Sequence, residues 1–169
     1  MNNGMKFVLA LTAAVIGVLS APSAASAQIS KEIIGTWALV SNSSVTPDGK
    51  RTHTFGPAPI GTLMFDSNGR FTVVTMRSDL PKFAGKGFRD GTPDEYKTVG
   101  QGMLVTFGKY SVSEADKTIT TDIEGSSFPN LVGGHQKRVV VSVTPEQLHY
   151  RNPTGAAGDT VELIWKRAK

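Results

Sequence analysis

The links between β-type runs alternate short and long down this chain, and no other feature constrains its fold as strongly. Eight runs rich in β-branched and aromatic residues occupy about 36–46, 60–66, 70–77, 103–112, 118–124, 135–143, 147–152 and 160–167. The short links are 67–69, 114–117 and 144–146, and the long ones are 47–59, 78–102, 125–134 and 153–159. In an up-and-down antiparallel sheet, consecutive links fall at opposite ends. Every short turn therefore collects at one end and every long loop at the other. The spacing predicts an all-β chain, an eight-stranded up-and-down antiparallel barrel with a sealed base and an elaborated mouth. Such a cup suits the binding of something small.

The first strand should place Trp37, Leu39 and Val45 on one face, with Ala38 and Val40 on the other. In the last strand Val161, Leu163, Trp165 and Arg167 share a face. Closure of the barrel would then bring Trp37 beside Arg167 or Lys166 at the base. A cation stacked on that indole, and bonded to the short helical turn at 29–34, would seal the end. Several strands carry apolar side chains on both faces, as Val139-Val140-Val141 shows. Such a barrel has part of its outside covered, by a helix or a partner, or a register that simple alternation misreads.

The N-terminus reads as an export signal. Lys6 precedes a mainly apolar run at 7–20, and Ala25-Ser26-Ala27 is a small-x-small cleavage site. The run is shorter than the roughly 20 residues a spanning helix needs. The expected division is a signal peptide over 1–27 and one barrel domain over 28–169, located in the periplasm or secreted, with no membrane span once the signal is gone. The chain has no cysteine, so no disulfide staples the fold in an oxidising compartment. Its formal charge of +4 is spread along the sequence without a basic stripe, which argues against a nucleic-acid partner.

One helix is expected outside the signal. Thr92-Pro93-Asp94-Glu95 supplies a cap, a proline at the first helical position and an acid that closes a capping box. It should run to about Thr98 or Val99 and stop at Gly100, inside the 78–102 loop. That position suits either a lid or simple loop packing.

Candidate functional residues are those at the strand ends and in the long loops. Phe55, Phe83, Tyr96, Met103 and Phe128 would form the apolar wall of a small-molecule site. Arg77, Glu124, Asn130 and His135 would orient a polar group. Arg77 has two readings, a clamp on a ligand carboxylate or a rim ion pair with Asp79 or Glu124. Glu124 likewise reads as a general base or as a salt-bridge partner. The chain's three histidines have no metal-ligand spacing, so no metal is expected, and no CxxCH or other pattern points to a cofactor. There is no GxSxG elbow and no phosphate loop. These residues describe a pocket and no reaction centre.

Several stretches, taken together, are similar to the bacterial lipocalin-like domain family. They begin with Gly35-Thr36-Trp37-Ala38-Leu39-Val40-Ser41 and continue through Phe55-Gly56-Pro57, Met76-Arg77 and Pro81-Lys82-Phe83. Gly91-Thr92-Pro93-Asp94-Glu95-Tyr96, Phe107-Gly108-Lys109-Tyr110, Phe128-Pro129-Asn130 and Leu163-Ile164-Trp165-Lys166-Arg167 follow in order. The resemblance covers nearly all of 28–169. It implies a calycin-type barrel with Trp37 and a C-terminal basic residue at the closed end, and it carries no common ligand or catalytic set.

The expected function is therefore an exported barrel that binds a small hydrophobic or amphipathic molecule. Two alternatives stand beside it. One is an isomerase or cyclase using Glu124 or His135 near Arg77, and the other is a filled barrel whose outer face binds a partner. The sequence assigns no oligomeric state.

Overall fold

β-Branched and aromatic runs pair in chain order into one antiparallel sheet. The computed structural model describes residues 28–156 and 158–169, so the expected export signal over 1–27 lies outside the described residues. The strands are β1 (Gly35–Val45), β2 (Arg51–Thr52), β3 (Ile60–Phe65), β4 (Arg70–Met76), β5 (Met103–Ser113), β6 (Thr118–Ser126), β7 (His135–Val143), β8 (Gln147–Asn152) and β9 (Thr160–Arg167). Each strand from β3 to β9 pairs with the next, and β1 pairs with both β3 and β9. That double pairing closes an eight-stranded barrel. The two-residue β2 is a ribbon folded back on the last two residues of β1, so it adds no wall.

The three short turns gather at one end. Asp66 Oδ1 accepts from the Asn68 and Arg70 amides, and Gly69 takes the positive φ of 79° that this turn requires. The Tyr110 hydroxyl donates to the Asp66 carbonyl at 2.7 Å and the ring packs edge-on against Phe65. Thr144 Oγ1 accepts from the amides of Glu146 and Gln147 in the third turn. These side chains make the turns stiff, which leaves structural variety to the opposite end.

Face assignment in β1 differs from simple alternation. A bulge between Leu39 and Ser41 inserts one extra residue, so the parity changes along the strand. Trp37 and Leu39 are buried inside, and beyond the bulge Asn42 and Ser44 take the inward positions. Val45, expected on the same face as Trp37, instead lies on the opposite one, outside beside Arg51 and Glu162. One extra residue has exchanged an apolar lining for a polar one in the upper half of the barrel.

The helix in the long loop, α2 (Pro93–Gly102), starts on the expected capping box, with Thr92 accepting from the Glu95 amide and Glu95 from the Thr92 amide. It continues through Gly100, the expected stop, to Gly102. The Gly102 carbonyl accepts from Arg77 N–H at 2.9 Å, which draws the last turn onto the β4–β5 pair. A side chain at Gly102 would also strike Leu80, at 2.5 Å from its Cβ position.

The base is sealed from within. A four-residue helix, α1 (Ile29–Glu32), crosses it, and its first amides, from Ile29 and Ser30, donate to the Glu114 carboxylate at 2.9 and 2.8 Å. Those donors hold the Glu114 carboxyl below its ordinary range, the Ser30 amide first. Behind α1, Ile33 and Trp37 are fully buried, and Trp37 Nε1 donates to the Ile33 carbonyl at 2.8 Å. The Arg167 guanidinium stacks on the Trp37 ring at 4.0 Å. It also donates to the carbonyls of Ile34, Glu32 and Pro145 at 2.9, 2.6 and 2.5 Å. Gly35 is required where the guanidinium passes. Its φ is +126°, and a Cβ there would sit 2.8 Å from Arg167 Nη1.

Replacing Arg167 by Met keeps the stem and leaves three carbonyls and an indole face without their partner. Urea unfolding of Arg167→Met should show a loss of about 2–4 kcal/mol, and Arg167→Lys should recover only a minor part of it.

Candidate ligand cavity at the barrel mouth

Side chains fill the lower half of the barrel and leave space in the upper half. Phe65, Phe71, Ile119, Ile123, Leu148, Tyr150 and Trp165 pack on Trp37 and Leu63 as one continuous core. Above this layer the inward positions become polar. Thr75, Thr106 and Thr121 are buried, as are Asn42 and Ser44. A cavity of about 110 Å³ begins there, bordered above by loop residues and open in part to solvent. Its apolar wall is Phe55, Leu104, Val161 and Leu163, and its polar wall includes Asn42, Ser44, Thr75, Gln136, Arg138 and Asn152. This is well below the roughly 300–1,000 Å³ of pockets that enclose drug-sized ligands. It fits a small molecule, or one end of a longer one.

Arg138 is the cation in this space, which Asp159 of the 153–159 loop also lines. It is 2% exposed, with its guanidinium over Phe71 at 5.3 Å and over Tyr150 at 5.7 Å. Nη1 donates to Thr121 Oγ1, which in turn donates to the Gln136 carbonyl at 3.2 Å. Nε has no hydrogen-bond partner, and neither has Asn152 Oδ1 or Trp165 Nε1. Burial pushes the Tyr150 phenol up, while the Arg138 cation and the Trp165 indole beside it pull part of the way back. Two aromatic faces and one hydroxyl offset only part of what removing a guanidinium from water costs, which is several kcal/mol. Among the described residues no carboxylate lies within ion-pair distance of Arg138.

Of the residues expected at the site, Phe55 alone lines this cavity. The turn that carries it is held by Ser44 Oγ against Thr54 Oγ1 at 3.2 Å and by His53 Nδ1, 3.4 Å from both Ser43 Oγ and the Asn42 carbonyl. Phe83 and Tyr96 pack edge-on against each other at 5.2 Å, and the Tyr96 hydroxyl donates to the Phe88 carbonyl. The 78–102 loop is thus folded on itself, and α2 supplies no cavity wall. Met103 sits on the opposite face of β5 from Leu104, which takes the inward place. Phe128 and Asn130 belong to the β6–β7 connection, where Pro129–Leu131 forms a short 3₁₀ turn, and both are exposed.

The polar candidates need correction. Arg77 makes a two-bond pair with Asp79 at 2.8 Å on the surface, the rim ion pair and not the ligand clamp. Glu124 is on the outer face at a bulge in β6, where Arg70 holds it through two bonds of 3.0 and 2.6 Å. His135 is also outside, with Nδ1 2.6 Å from Asp122 Oδ1. These three do not converge, and none faces the cavity, so acid–base catalysis within the barrel by Glu124 or His135 near Arg77 fails on geometry. For Glu124 and His135 the physical reason is parity, whereas Arg77 stands one residue beyond β4, in phase with the inward Thr75, and is held at the surface by Asp79. Exposed charges pair with neighbours along the outer wall, while the inward set on β7 is Gln136, Arg138 and Val140. In the sequence only the phase of Arg138 with Val140 marks it, and the run of three valines hides that phase.

A larger cleft, about 500 Å³ and open to solvent, lies on the outer wall between the 46–59 loop and β9. Its buried acid is already matched. Glu162 is paired with Arg51, with Arg151 Nε at 3.2 Å and with His149 Nε2 at 3.0 Å. The Arg51 bond is the chief cause that pulls the Glu162 carboxyl from 4.5 down to about 2, against the opposing effect of burial. Arg51 lies on β2, so this pair pins the first mouth loop to the last strand. The smaller cavity, with its unmatched polar atoms, is the better candidate site. Among the described residues no cluster of acids and histidines is built to hold a metal.

A closed eight-stranded barrel with a filled base and a part-polar cavity under its long loops is a lipocalin-like barrel. The chain belongs to the lipocalin-like domain family, which residues 34–168 match. Among solved structures it is similar to a lipocalin-like protein from Bacteroides uniformis, at 15% identity over 81% of this chain and 99% of that one, with a TM-score of 0.44. It is also similar to bovine odorant binding protein in complex with a selenium-containing odorant, at 18% identity over 88% and 78% of the two chains, with a TM-score of 0.43. A third is a redesigned β-barrel, mFAP1, bound to DFHBI, at 17% identity over 83% and 99%, with a TM-score of 0.41. No curated protein matches the chain.

The depressed Glu162 carboxyl has a defined pH signature. Its folded value lies below the unfolded one, so its contribution is full above about pH 4.5 and is lost as pH falls toward 2. Solvent around the half-exposed Arg51 and Arg151 limits the gain. Glu162→Gln should be less stable than wild type at neutral pH by on the order of 1–3 kcal/mol, and the two unfolding curves should converge on acidification through that window. A gap that stays constant with pH would show that the pairing is not what stabilises the ionised acid.

Proposed function

We propose that this is an exported lipocalin-like protein that binds a small amphipathic molecule in the cavity beneath its mouth. The observation that carries this reading is the division of the cavity wall. Phe55, Leu104, Val161 and Leu163 offer a hydrocarbon surface, and Gln136, Arg138 and Asn152 offer hydrogen-bonding groups opposite. Export rests on the Lys6, 7–20 and Ala25-Ser26-Ala27 pattern, with the mature domain beginning near Gln28 in the periplasm or outside the cell.

A second reading, an interaction module, draws support from the outer wall. Val40, Ile60, Met64 and Phe107 are large apolar residues left exposed there, and the lower half of the barrel is filled. Sedimentation of the purified protein separates the two. An interaction module of identical copies sediments as an oligomer that dissociates when Met64 and Phe107 are made polar.

The main reading is tested by isolating the protein from its native compartment and identifying retained small molecules by mass spectrometry. Leu104→Trp fills the cavity from its apolar side and should release them, at a stability change of about 1–3 kcal/mol from crowding. Retention of the same molecules by Leu104→Trp would place them elsewhere and sink the proposal.

A further inference from the structure

Every other arginine that lies near the barrel wall with an acid in reach has taken it. Arg51 and Arg151 share Glu162, Arg70 holds Glu124 and Arg77 holds Asp79. All four guanidiniums are partly open to solvent, which limits what such pairing brings. Arg138 is the buried one, where pairing would bring most, and it has no acid within 4.0 Å among the described residues. Asp159 lines the same cavity, but it stands on the 153–159 loop and makes no ion pair with Arg138. The guanidinium is held in place by aromatic faces on Phe71 and Tyr150 and by the Thr121 hydroxyl. That is a rigid mounting for a positive charge with no anion of its own.

We propose that Arg138 is the receptor for a carboxylate carried by the ligand. The inference rests on the mouth cavity being the ligand site and names the chemistry of the ligand's head group. A carboxylate is planar and singly charged, and it accepts in the plane in which a guanidinium donates. It is also small enough for a cavity of about 110 Å³ that Arg138 lines. The hydrocarbon part of the molecule then points toward the mouth, along Leu104, Val161 and Phe55. Asn152 Oδ1, a buried acceptor without a donor, adds a preference for a ligand with a hydroxyl or amine near the acid. The proposal also explains why this barrel keeps a buried charge when its lower half is closed by apolar packing. A charge that is expensive when alone becomes specific when its counter-charge arrives with the ligand.

The test uses straight-chain probes of known chemistry. Butanoate, hexanoate and octanoate are titrated calorimetrically into the purified protein, beside 1-hexanol and inorganic phosphate. Wild type should bind the carboxylates at least about 30-fold more tightly than the alcohol, and Arg138→Met should lose that preference while still binding 1-hexanol. Equal affinity for hexanoate and hexanol in wild type, unchanged in Arg138→Met, would overturn the receptor role and leave the cavity as a ligand site. Phosphate binding as strongly as hexanoate would overturn the carboxylate assignment. Binding of no probe by wild type would overturn both this inference and the proposed function. Should Arg138→Met not fold, wild type alone decides the matter. Acidification that protonates hexanoic acid should weaken its binding and leave that of hexanol unchanged, and equal weakening of both would overturn the proposal.

Discussion

One guanidinium holds the two ends of this barrel together. Arg167, the last residue of the last strand, sits over the Trp37 ring near the start of the first, and donates to the carbonyls of Glu32 in α1, of Ile34 just beyond it and of Pro145 in the β7–β8 turn. A sheet closes into a cylinder only if its first and last strands meet in register, and here the closing pair carries its own fastening. A guanidinium suits the position because its donors spread in a plane that can stack on an indole and still reach several acceptors. Lysine has the charge but neither the plane nor the spread.

Sealing the base in this way determines where anything else can happen. Trp37, Ile33 and α1 occupy the lower interior, and the stiff short turns leave that end no way in. The upper interior is different because the wall is not regular. The bulge in β1 turns Asn42 and Ser44 inward, and irregularities in β6 and β7 shift register on the facing wall. Bulges convert a strand's apolar phase into a polar one without changing its composition. The lining therefore passes from hydrocarbon to hydroxyl, amide and guanidinium within a few residues of height.

Charge is sorted by the same geometry. On the outer wall Glu162, Glu124, Asp79 and Asp122 each lie beside a cation or a histidine. Inside, Arg138 rests on Phe71 and Tyr150 with Thr121 as its hydrogen-bond acceptor. Membership of the lipocalin-like domain family accounts for the barrel and its closed end.

The order of strands and the separation of short turns from long loops follow from the sequence alone, because turn chemistry and β-branched runs act locally. The pairing of Trp37 with Arg167 was legible too, since it needs only the closure of an eight-stranded sheet. The α2 cap was legible in Thr92-Pro93-Asp94-Glu95, though its end was not, because a tertiary hydrogen bond from Arg77 sets it. The inward faces above the base were decided only in three dimensions. A one-residue bulge inverts every later side chain of a strand, and nothing in the local sequence around Val40 announces it. Glu124 and His135 read as mouth residues, when on the folded wall they face water and their partners, and Arg77, just past the end of β4, turns to Asp79. Arg138 stood in the sequence beside Lys137 as one of two adjacent cations. Only the folded barrel put one of them in solvent and the other in the core, because adjacent residues of a strand point to opposite sides of the sheet.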